Sequence, residues 1–205
     1  IPRAQLSAAD QLHYDTFEWQ LQLAVDRQRF QEWLQPIGHQ GGVQTADGIA
    51  QTMPLANTAQ VRQYLARMAG VPALVAQTIH LMREGLKASR LPPQVLMQRV
   101  LAQLKTQLVA DPAKSGFYKP VLKFPASFSE ADRVRLTAAY RDMVTGKAVP
   151  AFTRLHDFIE KEYLPHCRDS AGLADTPNGA AKYAYRARES TTTDLTPDAI
   201  HAIGL

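Results

Sequence analysis

A second cysteine is missing: Cys167 stands alone in 205 residues, so the chain can form neither an internal disulfide nor a cysteine-rich metal site. No apolar run approaches the roughly 18–20 residues that a membrane-spanning helix needs, so no membrane span is expected. The loops that cradle phosphates, G-x-x-x-x-G-K-[ST] and G-x-G-x-x-G, are absent, as is the G-x-S-x-G elbow of serine hydrolases. No H-E-x-x-H occurs, and no two of the six histidines (His13, His39, His80, His156, His166, His201) stand four apart. Clustered positive charge is lacking too. The net charge is +4 but Lys and Arg are scattered, which suits a solvated surface and argues against a nucleic-acid partner. The opening IPRAQLSAAD has no initiator Met and no basic-then-apolar leader, as expected of a processed or excised piece.

What the chain does have is helical periodicity. Ser7 is placed to cap a helix reaching Leu34, on which Leu12, Thr16, Trp19, Leu23, Asp26, Phe30 and Trp33 recur at alternating spacings of four and three. The stripe predicts a core face, with Trp19, Phe30 and Trp33 as core aromatics rather than the lining of a ligand groove. Pro36 and the glycines of IGHQGG then stop the helix, and 35–57 reads as a loop. Three shorter helices follow: one begins near Thr58, and Pro72 and the pair Pro92 and Pro93 open the other two. Their apolar positions are Val61, Leu65 and Met68, then Val75, Ile79, Met82 and Leu86, then Met97, Val100, Leu104 and Leu108. The proline-rich 109–128 reads as a long connection. Either Ser127 with Glu130 or Ser129 with Asp132 offers a capping box for the next helix, which ends near Gly146. One more, from Lys147 to Tyr163, carries Phe152, Leu155 and Ile159 on one face.

Near the end the reading changes. Asn178-Gly179 favours a turn, and Tyr183, Tyr185 and Ala187 alternate with Ala184, Arg186 and Arg188, the two-residue period of a strand. A strand and link are therefore expected over 177–196. Thr196-Pro197-Asp198 then starts a helix. The whole predicts a single all-α region over 1–205, six or seven helices, with one short β-strand or hairpin segment whose pairing partner is missing.

Few groupings suggest chemistry. His156 and Glu160 share an i, i+4 spacing with His166 beyond, which fits an exposed helix pair better than a zinc site. Asp157, Glu160 and Glu162 fit surface pairing with nearby Lys and Arg. Cys167 beside His166 reads as a semi-buried structural thiol. Catalytic and metal-binding residues are expected to be absent.

Several ordered elements nonetheless resemble a known family. They are Pro150-Ala151-Phe152, Leu155, Tyr163-Leu164-Pro165, Arg168, Gly172-Leu173, Pro177 with Gly179, and Tyr183. Thr191-Thr192, Thr196-Pro197, Ile200-His201 and Gly204-Leu205 continue the series. Upstream, Tyr64 to Met68, Met82 to Gly85, PIGHQGG and the helix after Pro92 belong to it as well. In this order and spacing they resemble the bacterial domain-of-unknown-function 885 family. Ser89 departs from it, standing where a second small residue after Gly85 is expected.

The resemblance implies a largely helical, zinc-peptidase-like hydrolase more than twice this length. Its metal-binding stretch, a His-Glu element followed by Pro-Gly-His, lies in a C-terminal half that is not in this sequence. By that resemblance the chain is the N-terminal portion of a larger domain, holds no cofactor itself, and is inactive alone, with zinc belonging to the full-length protein. The missing half is then its partner, a peptide its substrate, and the periplasm or cell envelope its address. Tyr183, Tyr185, Arg186 and Arg188 become candidates for the border of a substrate cleft. Apolar surface meant for the missing half would favour homo-oligomers. The competing expectation is a stand-alone helical interaction or dimerisation domain without catalytic activity.

Overall fold

The computed structural model describes residues 2–205, the side chains of 50 and 51 aside. Among the described residues, eight α-helices of seven residues or more form: α1 Ala8–Arg27, α2 Thr58–Met68, α3 Val71–Lys87, α4 Gln94–Lys105, α5 Glu130–Met143, α6 Val149–Phe158, α7 Gly179–Thr191 and α8 Pro197–Ile203. No strand forms among the described residues. Isolated bridges join Gly38 with Gly41 and Pro93 with Arg168. Among the described residues no helix is long and apolar enough to cross a membrane. The chain divides into two compact units, Leu34–Ala171, and the residues up to Trp33 with Gly172–Leu205.

The larger unit holds the main core. Val61 and Met68 of α2, Val75 and Met82 of α3, and Met97, Val100 and Leu104 of α4 are buried, so the helical spacings found their partners. Ser129 caps α5 by accepting from the Asp132 amide, the second of the two capping registers. The expected break at Gly146 does not occur. α5 passes through a π-turn at Val144–Ala148 into α6, and α6 through another at Ile159–Tyr163. Each π-turn lies just ahead of a proline, Pro150 and Pro165. Proline cannot donate to the carbonyl four residues back, and a wider turn absorbs the lost bond without breaking the helix. The connection over 109–128 is also more ordered than its prolines suggest. Gly116–Val121 winds as a 3₁₀ turn, Phe117, Tyr118, Val121 and Phe128 enter the core, and Phe117 stacks on Phe152 with ring centroids 5.9 Å apart.

In the smaller unit Ser7 caps α1 as expected, accepting from the Asp10 amide. The helix stops at Arg27, short of Leu34. A 3₁₀ turn and Gln31, held at φ 49°, end it. Of the predicted core stripe only Leu23 and Phe30 are buried, while Leu12 is 67% and Trp33 45% exposed.

The predicted strand is a helix. Residues 179–191 form α7, and the alternation of tyrosines with alanine and arginine that suggested a strand is outweighed by composition. Ala180, Ala181, Lys182, Ala184, Arg186, Ala187 and Arg188 are all strong helix formers. The wrap also places Lys182, Tyr185, Arg186 and Glu189, three and four apart, on one face. Asn178 enters it at φ 61°. Gly179 is required by close approach: a Cβ there would lie 2.1 Å from the Leu173 carbonyl oxygen and 2.8 Å from Ala174 Cα. Thr196 caps α8 by accepting from the Ala199 amide, with Pro197 in the first turn, as read from the sequence.

Candidate functional site

Within the smaller unit, α7 presents its polar face to α1 and the turn that follows it. Glu32, just past the left-handed Gln31, is the hub. Its Oε1 accepts from Lys182 Nζ at 3.0 Å and from Arg186 at 2.7 Å, and its Oε2 accepts from Arg27 Nε. Burial works against the Glu32 charge, but hydrogen bonds from Lys182 and Arg27, with the charges of Lys182 and Arg186, outweigh it. They bring the carboxyl down to about 2. Three cations on one carboxylate make this a network rather than an isolated surface pair.

Tyr185 is 4% exposed and its ring packs on Phe30 with centroids 5.3 Å apart. Its hydroxyl lies 3.1 Å from both the Leu23 carbonyl oxygen and a Glu189 carboxylate oxygen, and its single proton goes to one of them. Burial, then the Glu189 carboxylate, pushes this phenol up. Arg186 donates to Glu189 at 2.6 Å as well as to Glu32. Arg188 reaches Asp26 at 3.4 Å and Asp194 at 3.9 Å.

Beside this network opens a groove of ≈ 740 Å³, lined among others by Trp19, Arg27, Glu32, Trp33, Tyr185 and Glu189. Of the four candidates from the sequence, the fold brings Tyr185 and Arg188 onto α1, and Arg186 onto Glu32 in the turn after it. Only Tyr185 lines the groove, and Tyr183 is 57% exposed elsewhere on α7. Phe30 belongs to the core, whereas the two indoles, read as core, are groove walls. Glu32 and Glu189 were not singled out by the sequence. The signal was the i, i+4 spacing of Lys182 with Arg186, visible only once the segment is recognised as a helix.

Elsewhere, Cys167 is buried, its thiol is pushed up to about 11 by that burial, and its sulfur lies 3.5 Å from the Tyr163 carbonyl oxygen. A protonated thiol held this way is structural. His156 is not on an exposed face as its spacing with Glu160 suggested, but 8% exposed. Among the described residues, one grouping of three metal-ligating side chains converges: His156, Asp157 and Glu160.

Comparison with known proteins gives the fold a context. A solved structure described as "the putative lipoprotein from Colwellia psychrerythraea" is similar over 74% of this chain, with a TM-score of 0.67 and 20% identity, a likeness of fold. The match takes in 26% of that protein, so the chain spans about a quarter of its length. No curated protein matches. The model of the family described as "Bacterial protein of unknown function (DUF885)" matches residues 1–205. With every residue of the sequence inside that match, the chain belongs to the DUF885 family.

Proposed function

We propose that this chain is a helical, non-catalytic portion of a zinc-peptidase-like hydrolase, and that the groove on its smaller unit holds part of a peptide substrate. The observation that carries the reading is the groove itself. Two indoles and a tyrosine ring supply apolar walls, and the Glu32 network supplies fixed charge beside them. Apolar walls with a few fixed polar groups are the general design of ligand clefts. The resemblance to hydrolases supplies the reaction class. By the same resemblance, the metal-activated water and the carboxylate base of the reaction would come from outside these residues, so the chain by itself should not cleave peptides. An envelope address is supported by the description of the solved neighbour as a lipoprotein.

The groove can be tested directly, because Trp19 and Trp33 are the chain's two tryptophans and both line it. Titration with mixed peptides from a protein hydrolysate is expected to change the intrinsic fluorescence saturably, and Trp33→Phe should remove much of that change. An unaltered spectrum at millimolar peptide rejects the groove as a peptide site. In the full-length protein, Arg186→Ala should raise KM. Unchanged kcat and KM would reject the cleft-border role.

A second reading, an interaction or dimerisation domain, is favoured by a different feature. α1 is apolar on two faces. Leu23 packs toward Tyr185, while Phe17, Leu21 and Val25, on the other side, are 61%, 51% and 65% exposed. A helix with two apolar faces commonly buries both. Light scattering across a concentration series distinguishes a constant monomer from a self-associating chain.

A further inference from the structure

His156 sits on α6 four residues after Phe152, and so faces the core with it. A buried imidazole normally hydrogen-bonds through its ring nitrogens. This one does not: Nε2 is buried without a hydrogen-bond partner. Nδ1 points at two carboxylates, 3.6 Å from Asp157 Oδ1 and 3.9 Å from Glu160 Oε2. Both separations exceed hydrogen-bond length. They are, however, close to what a shared ion imposes. Nitrogen and oxygen ligands about 2.1 Å from one ion stand roughly 3.0 Å apart in octahedral and 3.4 Å apart in tetrahedral geometry.

The surroundings fit a cation. The three ligand atoms lie within 4.8 Å of one another. Asp157 Oδ2 is held by Lys161 at 3.0 Å, which fixes that carboxylate and leaves Oδ1 toward the histidine. Glu160 is exposed, on the π-turn Ile159–Tyr163, and has roughly 0.5–0.9 Å to close to reach those separations. Two carboxylates against one lysine leave the cluster negative.

An ion on Nδ1 leaves Nε2 as it is, buried and without a partner, so binding costs no hydrogen bond that the ring now makes.

We propose that His156 Nδ1, Asp157 and Glu160 form a binding site for a first-row divalent transition-metal ion, with water completing its coordination. One imidazole and two carboxylates suit Zn²⁺ or Mn²⁺ over Mg²⁺, which keeps its water and rarely takes nitrogen. The site clamps the end of α6 to its π-turn. It belongs to the larger unit, whereas the groove belongs to the smaller one, and it does not depend on the peptide reading.

The test is calorimetric titration of the 205-residue chain with Zn²⁺ alone, and with Mg²⁺ for comparison. One saturable Zn²⁺ site is expected, with Mg²⁺ far weaker. Glu160→Gln and Asp157→Asn alter partly exposed side chains and keep the fold. Each should weaken Zn²⁺ binding by at least the roughly tenfold that losing even an outer partner of a metal site costs. His80→Gln and His166→Gln, both at exposed histidines, should leave it unchanged. The proposal is overturned by the absence of saturable binding at millimolar Zn²⁺, by binding that survives both carboxylate substitutions, or by binding lost in either histidine control.

Discussion

The Tyr185 hydroxyl lies 3.1 Å from the carbonyl oxygen of Leu23, joining α7 to α1 across 162 positions of sequence. With the Phe30 ring beside it, this contact organises the small apolar cluster of Leu23, Phe30 and Tyr185. Tyr185→Phe keeps the ring and removes the proton donor. The expected cost is about 0.5–1.5 kcal/mol, the net value of one hydrogen bond, read as a lower urea midpoint with an unchanged slope. Tyr185→Ala empties the cluster and should cost about 3–5 kcal/mol, as for other large aromatics. Equal losses for the two variants would show that the ring contributes nothing.

Glu32 gives the smaller unit a pH dependence of known sign. Its folded value of about 2 is below the ordinary 4.5, so the folded state holds the proton less tightly than the unfolded chain. The stabilisation is then complete above the unfolded value and is lost as pH falls from about 4.5 through about 2. Because the carboxylate keeps partial contact with solvent, screening trims the effect. About 1–2 kcal/mol is expected at neutral pH, below the full linkage value. Glu32→Gln should remove that slope from a plot of stability against pH between 5 and 2, leaving the other carboxylates' contributions. An identical slope in the variant would exclude Glu32 as its source.

Gly179 sets two effects against each other. Alanine is a better helix former than glycine by about 1 kcal/mol, so Gly179→Ala at an open helical position would stabilise. Here the added Cβ meets backbone, the Leu173 carbonyl oxygen at 2.1 Å and Ala174 Cα at 2.8 Å. Neither can rotate away as a side-chain tip would. The clash should win, with a net loss of about 1–3 kcal/mol, detected by thermal melting. A stabilised variant would show that the turn at Leu173 yields.

Much of this architecture is legible in the sequence where a single helix face meets a single core. Val75, Ile79 and Met82 on α3, and Met97, Val100 and Leu104 on α4, are spaced as their burial requires. Reading becomes unsafe where short-range pattern and long-range contact disagree. Tyr183, Tyr185 and Ala187 alternate as a strand would, yet the segment is helical and its polar face is matched to Glu32, 154 positions from Arg186. No window along the chain contains that pairing. His156 is a different case, because its signal was present. It stands four residues after Phe152 and one after Leu155, within the apolar face already read for that helix. The i, i+4 match with Glu160 drew attention to the solvent side instead. The α1 stripe was over-read for a third reason. A helix with two apolar faces fits a core stripe on either side, and periodicity cannot say which of them the fold leaves open.

That open face of α1 separates stability from association. Phe17, Leu21 and Val25 are more than half exposed, so polar substitutions there remove little buried surface and should change unfolding free energy by less than about 0.5 kcal/mol. If the face is used between copies, the same substitutions act on assembly. Each exposed methylene covered by a partner contributes about 0.8 kcal/mol, so Leu21→Gln combined with Phe17→Ser removes several kcal/mol from an interface and almost nothing from the fold. The expected outcome is an unchanged melting curve at low concentration, together with loss of any concentration-dependent mass in light scattering. A parent chain that stays monomeric at high concentration rules out self-association through this face. A variant that unfolds early would show instead that Phe17 and Leu21 support α1 itself.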